Sequence, residues 1–354
     1  MQTAYSRAGV KSADEMPGFK ALLKRLAPTF DFAPNARPVI GFGYYANVIP
    51  VAPNLGIAIS TDGVGTKILV AEALEKFDTI GIDCVAMNVN DVICVGATPI
   101  SMVDYIAVEK PDDHLLEQLG IGFAEGARQA EISIPGGELA QIPDMIKGVS
   151  EGSGFDLVGT CIGTVALDRV ITGKSIRSGD AIIGLASSGV HSNGLTLARR
   201  ALPNLSEHLP ELGCKVGEEL LRPTTIYVRF AKELLASAVD VKALAHITSD
   251  GFLNLARVEA DVTFNLERLP EAPAIFNLIQ ERGGISDEEM LLVYNMGIGF
   301  VAVVPKADAI RTIEIAAKTG YKAFDLGTVT SEPGKRVYVR PRGLVGEHGR
   351  FRKV

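Results

Sequence analysis

The run Gly56-Ile57-Ala58-Ile59-Ser60-Thr61-Asp62-Gly63-Val64-Gly65-Thr66-Lys67 and the Ile68-Leu69-Val70-Ala71-Glu72-Ala73-Leu74 that follows it decide the fold. Residues 56–60 form a short apolar run that reads as a buried strand. The chain then breaks at a Gly-x-Gly turn with one acid before it and one base after it. Ile68–Leu74 reads as a helix, with Thr66 as its N-cap. Strand, glycine turn and helix start form the geometry in which backbone N–H groups meet a phosphate. Asp62 suits a metal ion and Lys67 suits phosphate charge. The run is not the standard P-loop, which has four residues between its glycines before Lys-Ser/Thr. A tight turn with a surface ion pair accounts for the same residues, and both readings stand at this point.

Working outward, 354 residues allow two domains with ordinary cores. Hydrophobic residues make up 47% and charged residues 22%, a normal globular balance. A formal net charge of −7 disfavours general binding to nucleic acid or to anionic membranes. An anionic substrate must then be met by a local site. Cys84, Cys94, Cys161 and Cys214 are scattered and form no Cys-x-x-Cys. That implies reduced thiols, neither zinc site nor disulfide framework, and a cytoplasmic protein. No stretch is long and apolar enough to span a bilayer, and residues 1–11 lack a signal-peptide core.

Residues 79–95 carry apolar side chains on all sides of a helix, which predicts burial. The same segment holds Asp83, Asn88, Asn90 and Asp91. A lone buried carboxylate costs several kcal/mol before its pKa adjusts, so about that much must be offset by partners. Positions 83 and 90 share a face, and Asp91 lies on its flank. A metal ion bridging phosphates would supply the partner, and so would a polar network with neighbouring loops. Residues 99–108 read as a strand and residues 112–129 as an amphipathic helix with N-terminal acids. Pro135-Gly136-Gly137-Glu138 reads as a rigid loop presenting a carboxylate, or as a connecting turn. Residues 155–167 form a long β-like run that closes the first domain.

A second strand, at residues 181–185, leads into Ser187-Ser188-Gly189-Val190-His191-Ser192-Asn193-Gly194 and a helix over 195–202. The turn offers hydroxyls, an imidazole, an amide and free N–H groups, a good phosphate cradle. An elaborate N-cap with His191 as bystander is the plainer account. Strands at 243–247, 298–304 and 323–331 and helices between them complete an α/β (α+β) pattern. The expected domains are residues 1–168 and 169–340, with 341–354 as a tail.

These blocks resemble the aminoimidazole ribonucleotide synthetase family, the phosphoribosylformylglycinamidine cyclo-ligases. Asp62-Gly63-Val64-Gly65-Thr66-Lys67 looks like the family signature. Tyr5-Ser6-Arg7-Ala8-Gly9-Val10, Ile40-Gly41-Phe42-Gly43, the Gly81-to-Asp91 string, Gly136-Gly137-Glu138, the 187–194 turn and Tyr294-Asn295-Met296-Gly297-Ile298-Gly299 fall in the family's order. The chain departs at Leu139 and Gln141, where the family has Thr and Glu, and at Ser249 and Asp250, where it usually has glycines. The resemblance implies a two-domain fold and a homodimer whose N-terminal sheets meet. It implies ATP and Mg²⁺, and ATP-dependent ring closure of formylglycinamidine ribonucleotide. In that reading Asp62, Asp83 and Asp91 hold Mg²⁺, and Gly63, Gly65, Thr66, Lys67 and Asn90 meet the nucleotide. Ser188, His191, Ser192 and Asn193 meet the substrate, and Lys67, Glu138 and His191 are the catalytic candidates. Three rivals remain open: a superfamily relative such as selenophosphate synthetase or thiamine monophosphate kinase, a paralogue with shifted substrate, and a non-catalytic nucleotide-binding regulator. Selenophosphate chemistry is disfavoured because no cysteine precedes Cys84.

Overall fold

Alternating apolar residues between 47 and 63 make two strands. In the computed structural model, which describes residues 16–354, β1 (Asn47–Ala52) and β2 (Leu55–Gly63) form an antiparallel hairpin. The family-like block at residues 5–10 lies outside the described residues. β3 (Thr98–Val108), β4 (Gly137–Gln141) and β5 (Phe155–Val165) complete a five-stranded sheet in the order β1-β2-β5-β3-β4. Only β4 is parallel to its neighbour. β5 alternates strictly between buried and half-buried residues, so one face of this sheet is covered and the other is not.

The covered face packs against the helix Ile80–Cys94, which packs in turn on the helix Asp113–Ala130. The Asp112 carboxylate caps the second helix by accepting from Leu115 N at 2.7 Å. Gly81 and Gly122 let the two helices touch. A Cβ on Gly81 would stand 2.3 Å from Phe123 N, and one on Gly122 would stand 2.8 Å from Asp78 O. On the uncovered face lie Ile59 (38% exposed), Val103 (45%) and Tyr105 (41%), with Val158 and Ile162 between them in register.

The second sheet has eight strands. In chain order, past the small ribbon β7 (His208–Leu209) and β8 (Cys214–Lys215), they are β6 (Ala181–Ala186), β9 (Ala243–His246), β10 (Thr263–Leu266), β11 (Ile298–Val304), β12 (Ala323–Thr330), β13 (Val337–Val339), β14 (Leu344–Glu347) and β15 (Arg350–Lys353). Their spatial order is β15-β14-β13-β10-β12-β6-β11-β9. β9 and β11 are buried throughout, which is why both read as unbroken apolar runs rather than alternating ones.

The helix Ile80–Cys94 also packs against β9 and so forms the seam between the two sheets. Every residue in it is buried except Asp91. Asp83, Asn88 and Asn90 are therefore polar groups inside the protein. Each amide would cost roughly 1–3 kcal/mol if left unpaired, and the carboxylate more, so the partners of Asp83 and Asn90 decide how the two halves join.

Three expectations are corrected. Thr66 is not the N-cap of Ile68–Leu74: residues Gly65–Lys67 make a 3₁₀ turn that runs into the helix without a side-chain cap. Glu138 is not on a loop, because β4 forms along β3 from Gly137 onward. Residues 341–354 are not a tail. β14 and β15 extend the second sheet, and Leu344, Val345 and Phe351 are buried in it.

Candidate active site

β2 carries Asp62 to the end of its strand on the helix-covered face. Asn88 holds it there. The Asn88 side chain accepts from Asp62 N at 3.0 Å and donates to Asp62 O at 3.1 Å. A buried amide thus takes over the pairing at the strand end, where a turn begins. The Asp62 carboxylate accepts from Gly63 N at 2.8 Å. Burial, reinforced by the charge of Asp91, pushes its pKa up to about 6, against the smaller opposing effects of the Gly63 N–H, His246 and Arg257.

Lys67 and Asp83 form a knot between the sheets. Lys67 Nζ lies 2.8 Å from Asp83 Oδ1 and 2.6 Å from the carbonyl oxygen of Arg222. Both side chains are fully buried. Asp83 Oδ1 also accepts from Thr224 N at 2.7 Å, Thr224 Oγ1 at 2.6 Å and Ser192 Oγ at 3.1 Å. Burial pushes the Lys67 ammonium down from its ordinary value while the Asp83 carboxylate pushes it back. In this arrangement Lys67 is used by the protein itself.

Asn90 and Asp91 continue the seam. Asn90 donates to the carbonyl of Thr225 at 2.9 Å and accepts from Tyr227 N at 2.9 Å. Asp91 Oδ1 lies 3.0 Å from His246 Nδ1, with the His246 ring fully buried. Asp91 itself keeps 17% of its side-chain surface in contact with solvent.

The 187–194 turn follows β6 as predicted. His191 sits in the left-handed region at φ 61 and is buried. Its Nε2 accepts from Ser188 N at 3.3 Å and Thr225 N at 3.4 Å, which places the ring proton on Nδ1. Burial, with His246 and Lys67 nearby, drives its pKa well below the ordinary value, so the ring is neutral. Ser188 Oγ donates to the Pro223 carbonyl at 2.6 Å. Asn193 Nδ2, His191 Nδ1 and Asp83 Oδ2 are buried without hydrogen-bond partners. Orphaned polar atoms are few in folded proteins, and three in one turn and its neighbour mark this region as built for more than a cap.

The structure thus brings Lys67, Asp83 and Ser192 together, and Asn90 and His191 onto the same loop at 223–227. It separates other expected partners. Asp83 does not join Asp62 and Asp91, and among the described residues no group of three or more His, Cys, Asp or Glu side chains is placed to hold a metal ion. The reason is that Asp83 finds a lysine and two hydroxyls instead. The negative charges of Asp62 and Asp91 repel each other, and Asp91 is the one residue of its helix left open. Glu138 is exposed and pairs with Tyr105, which puts it on the uncovered face, opposite to Asp62. Gly65 is exposed at φ 69 with open space around it, and Thr66 Oγ1 meets Thr196 Oγ1 at 2.9 Å. A cleft of about 400 Å³ lined by Arg169, Lys174 and Lys242 contains none of these residues.

Sequence reasoning missed Thr224, His246, Arg257 and Tyr45. The blocks Pro223-Thr224-Thr225-Ile226-Tyr227, His246-Ile247-Thr248 and Asn254-Leu255-Ala256-Arg257, which resemble stretches of the same family, carried a signal for the first three, and Tyr45 had none. Arg257 donates to Asp250 Oδ2 at 3.0 Å and lies over the Tyr45 ring, 5.2 Å from its centroid.

Comparison with known proteins gives this geometry its context. The N-terminal domain described as "AIR synthase related protein" matches residues 43–165, and the corresponding C-terminal domain matches residues 177–340. The phosphoribosylformylglycinamidine cyclo-ligase of Thermococcus kodakarensis is 47% identical over 94% of this chain and 97% of its own. That of Pyrococcus furiosus is 46% identical over 93% and 96%, and that of Methanocaldococcus jannaschii is 44% identical over 92% and 91%. Among solved structures, the hydrogenase maturation protein HypE in complex with ATP superposes with a TM-score of 0.57 at 20% identity over 81% of each chain. PurL of T. maritima complexed with AMPPCP gives 0.54 at 17% identity over 83% of this chain and 44% of its own. At those identities the structural likeness is one of fold. The near-complete match to the cyclo-ligases goes further, and the chain belongs to the phosphoribosylformylglycinamidine cyclo-ligase family.

Proposed function

We propose that this chain uses ATP to close the imidazole ring of formylglycinamidine ribonucleotide, giving 5-aminoimidazole ribonucleotide, ADP and phosphate in purine biosynthesis. The observation that carries this reading is the 44–47% identity to cyclo-ligases along nearly the full length of both chains. The chemistry is reasonable. An amide-like formyl oxygen is a poor leaving group. Transfer of the γ-phosphoryl to that oxygen corrects this, an amidine-side nitrogen attacks the carbon and closes the ring, and phosphate departs with the oxygen. Positioning and charge neutralisation dominate such transfers.

Asp62 and Asp91 are the residues that would hold Mg²⁺, whose charge would neutralise the triphosphate when bound. Gly63, Gly65 and Thr66 form the turn that meets the phosphates. Ser188, Ser192 and Asn193 form the substrate end, with Asn193 Nδ2 free to donate. Lys67 acts from behind them. By tying Asp83 to the Arg222 carbonyl it fixes the 222–227 loop, and through that loop His191 and Asn90. His191, neutral and enclosed, orients backbone rather than moving a proton in this arrangement.

The same reading includes a homodimer. The apolar strip of Ile59, Val103 and Tyr105 is a sheet face that is partly exposed among the described residues, and a second copy of the sheet complements it. Glu138 stands on that face, so dimerisation would deliver it to the partner. Among the described residues no helix is long and apolar enough to cross a membrane.

The test is ADP release from ATP and Mg²⁺ with and without formylglycinamidine ribonucleotide. Equal amounts of ADP and aminoimidazole product are expected. ATP binding without substrate-dependent ADP release would overturn the reading.

A further inference from the structure

The segment 294–297 holds the 187–194 turn at several points, and Asn295 makes most of the bonds. Asn295 is buried. Its Nδ2 donates to the Gly189 carbonyl at 2.9 Å, and its Oδ1 accepts from Ser187 Oγ at 2.9 Å and from Gly297 N at 2.8 Å. A main-chain N–H on one side and a main-chain carbonyl on the other fix which way round the amide sits. Ser187 N donates to the Gly297 carbonyl at 2.9 Å, and Tyr294 Oη donates to the Gly194 carbonyl at 3.0 Å.

The bond to Gly189 has a consequence for the next residue. Gly189 has a φ of 154, and the nearest atom to a Cβ there would be Glu219 Oε1 at 3.6 Å. Glycine thus serves backbone freedom here rather than close packing, and a peptide beside a free glycine can turn over. Ser187 Oγ also lies 3.0 Å from the Gly189 carbonyl, but its single proton serves either that oxygen or Asn295 Oδ1. Asn295 Nδ2 is therefore the committed donor. The described chain has no cis peptide bond, so the carbonyl and N–H of the 189–190 peptide point in opposite directions. Holding the Gly189 carbonyl on Asn295 turns the Val190 N–H away from Asn295. Among the described residues no acceptor meets that N–H, nor those of His191 and Ser192 after it. Consecutive unpaired N–H groups around a residue in the left-handed region, here His191 at φ 61, form a concavity that suits an anion.

We propose that Asn295 is a positioning residue for the phosphate end of the substrate: it locks the 189–190 peptide so that the Val190 N–H is a fixed donor to a phosphate monoester. The inference rests on the assignment of the 187–194 turn to the substrate in the function proposed above, and not on ring closure itself.

The probe is ribose 5-phosphate, which carries a phosphate monoester without the reacting group, added to the full chain in the absence of ATP. In protein labelled with ¹⁵N-valine it should shift the Val190 amide, identified by its absence from Val190→Ile. Ribose 5-phosphate that binds with this amide unmoved, or that does not bind, would overturn the proposal. Asn295→Ala should raise the ribose 5-phosphate Kd, read by calorimetry, about tenfold, as expected for one lost hydrogen bond to a charged group. The Kd for ATP should be unchanged. Tyr294→Phe loses a bond to the same turn at Gly194, and should lower the melting temperature while keeping the ribose 5-phosphate Kd. That split is the readout a merely structural role would not give. Wild-type affinity in Asn295→Ala, or equal weakening in the two variants, would also sink the idea. Should Asn295→Ala fail to fold, the Val190 shift in the wild-type protein still decides. Absence of ring closure with these binding results intact would count against the proposed reaction and leave Asn295 standing. Ring closure with an unmoved Val190 amide would do the reverse.

Discussion

Lys67 Nζ and Asp83 Oδ1 are 2.8 Å apart with both side chains wholly out of solvent, and the three other donors to that oxygen come from the second half of the chain. Removing the cation leaves a buried carboxylate with neutral donors only. Lys67→Met should lower the unfolding free energy by about 3–5 kcal/mol, the usual loss when one partner of a buried pair is deleted. Lys67→Met with Asp83→Asn should recover part of that loss. Urea denaturation of the two variants checks it. A single variant as stable as wild type would show that the knot does not hold the halves together.

Acidification should act through His191. Its folded pKa lies well below the ordinary value of 6.5 because the ring is buried, while the unfolded chain titrates normally. Below pH 6.5 the unfolded state therefore binds more protons, and stability falls as pH falls. His191→Gln keeps an acceptor for Ser188 N and Thr225 N but has no proton to take up. Its stability should fall less steeply than that of wild type between pH 6.5 and 5. Parallel slopes would contradict the assignment.

Asp62 runs the other way. Its folded pKa is raised from 3.8 to about 6, so the native state binds more protons than the unfolded state between those values. Stability from this group is present below pH 4 and is lost as pH rises through 6. Asp62→Asn should therefore be more stable than wild type at pH 8, by about 1–2 kcal/mol after allowing for partial exposure. The gain should vanish near pH 4. The same variant should lose turnover while keeping its fold. Calorimetry at the two pH values, set beside ADP release, separates the effects.

The uncovered sheet face gives a test of assembly. Val103→Glu with Ile59→Lys places charges on an exposed apolar strip without touching the core. Sedimentation should show a dimer for wild type and a monomer for the double variant, with unchanged circular dichroism. A monomeric wild type would remove the homodimer from the proposed function.

Much of this was legible in the chain. The strand before Asp62, the helix after Lys67 and the enclosed helix at 80–94 followed from apolar patterning alone. Helical spacing correctly put positions 83 and 90 on one face, and both do face the second half. What spacing does not carry is the identity of the group opposite. Asp83 meets Lys67 and Thr224 rather than a metal, and Thr224 lies 141 positions further on. The hairpin at 344–353 escaped notice because its glycine and arginine content masks three inward residues, Leu344, Val345 and Phe351. Thr66 suited a cap by residue type, but the 3₁₀ turn leading into the helix leaves no cap position for it.

The seam helix also sets a schedule. At synthesis rates of about 5–20 residues per second, Asp83 leaves the ribosome roughly 7–30 s before Thr224 does. During that interval Asp83 has Lys67 but not Ser192 or Thr224, and the Asn90 amide lacks Thr225 and Tyr227. A nascent chain of this protein is therefore exposed to mispairing midway through translation, and the wait ends only when the 222–227 loop arrives to close the seam.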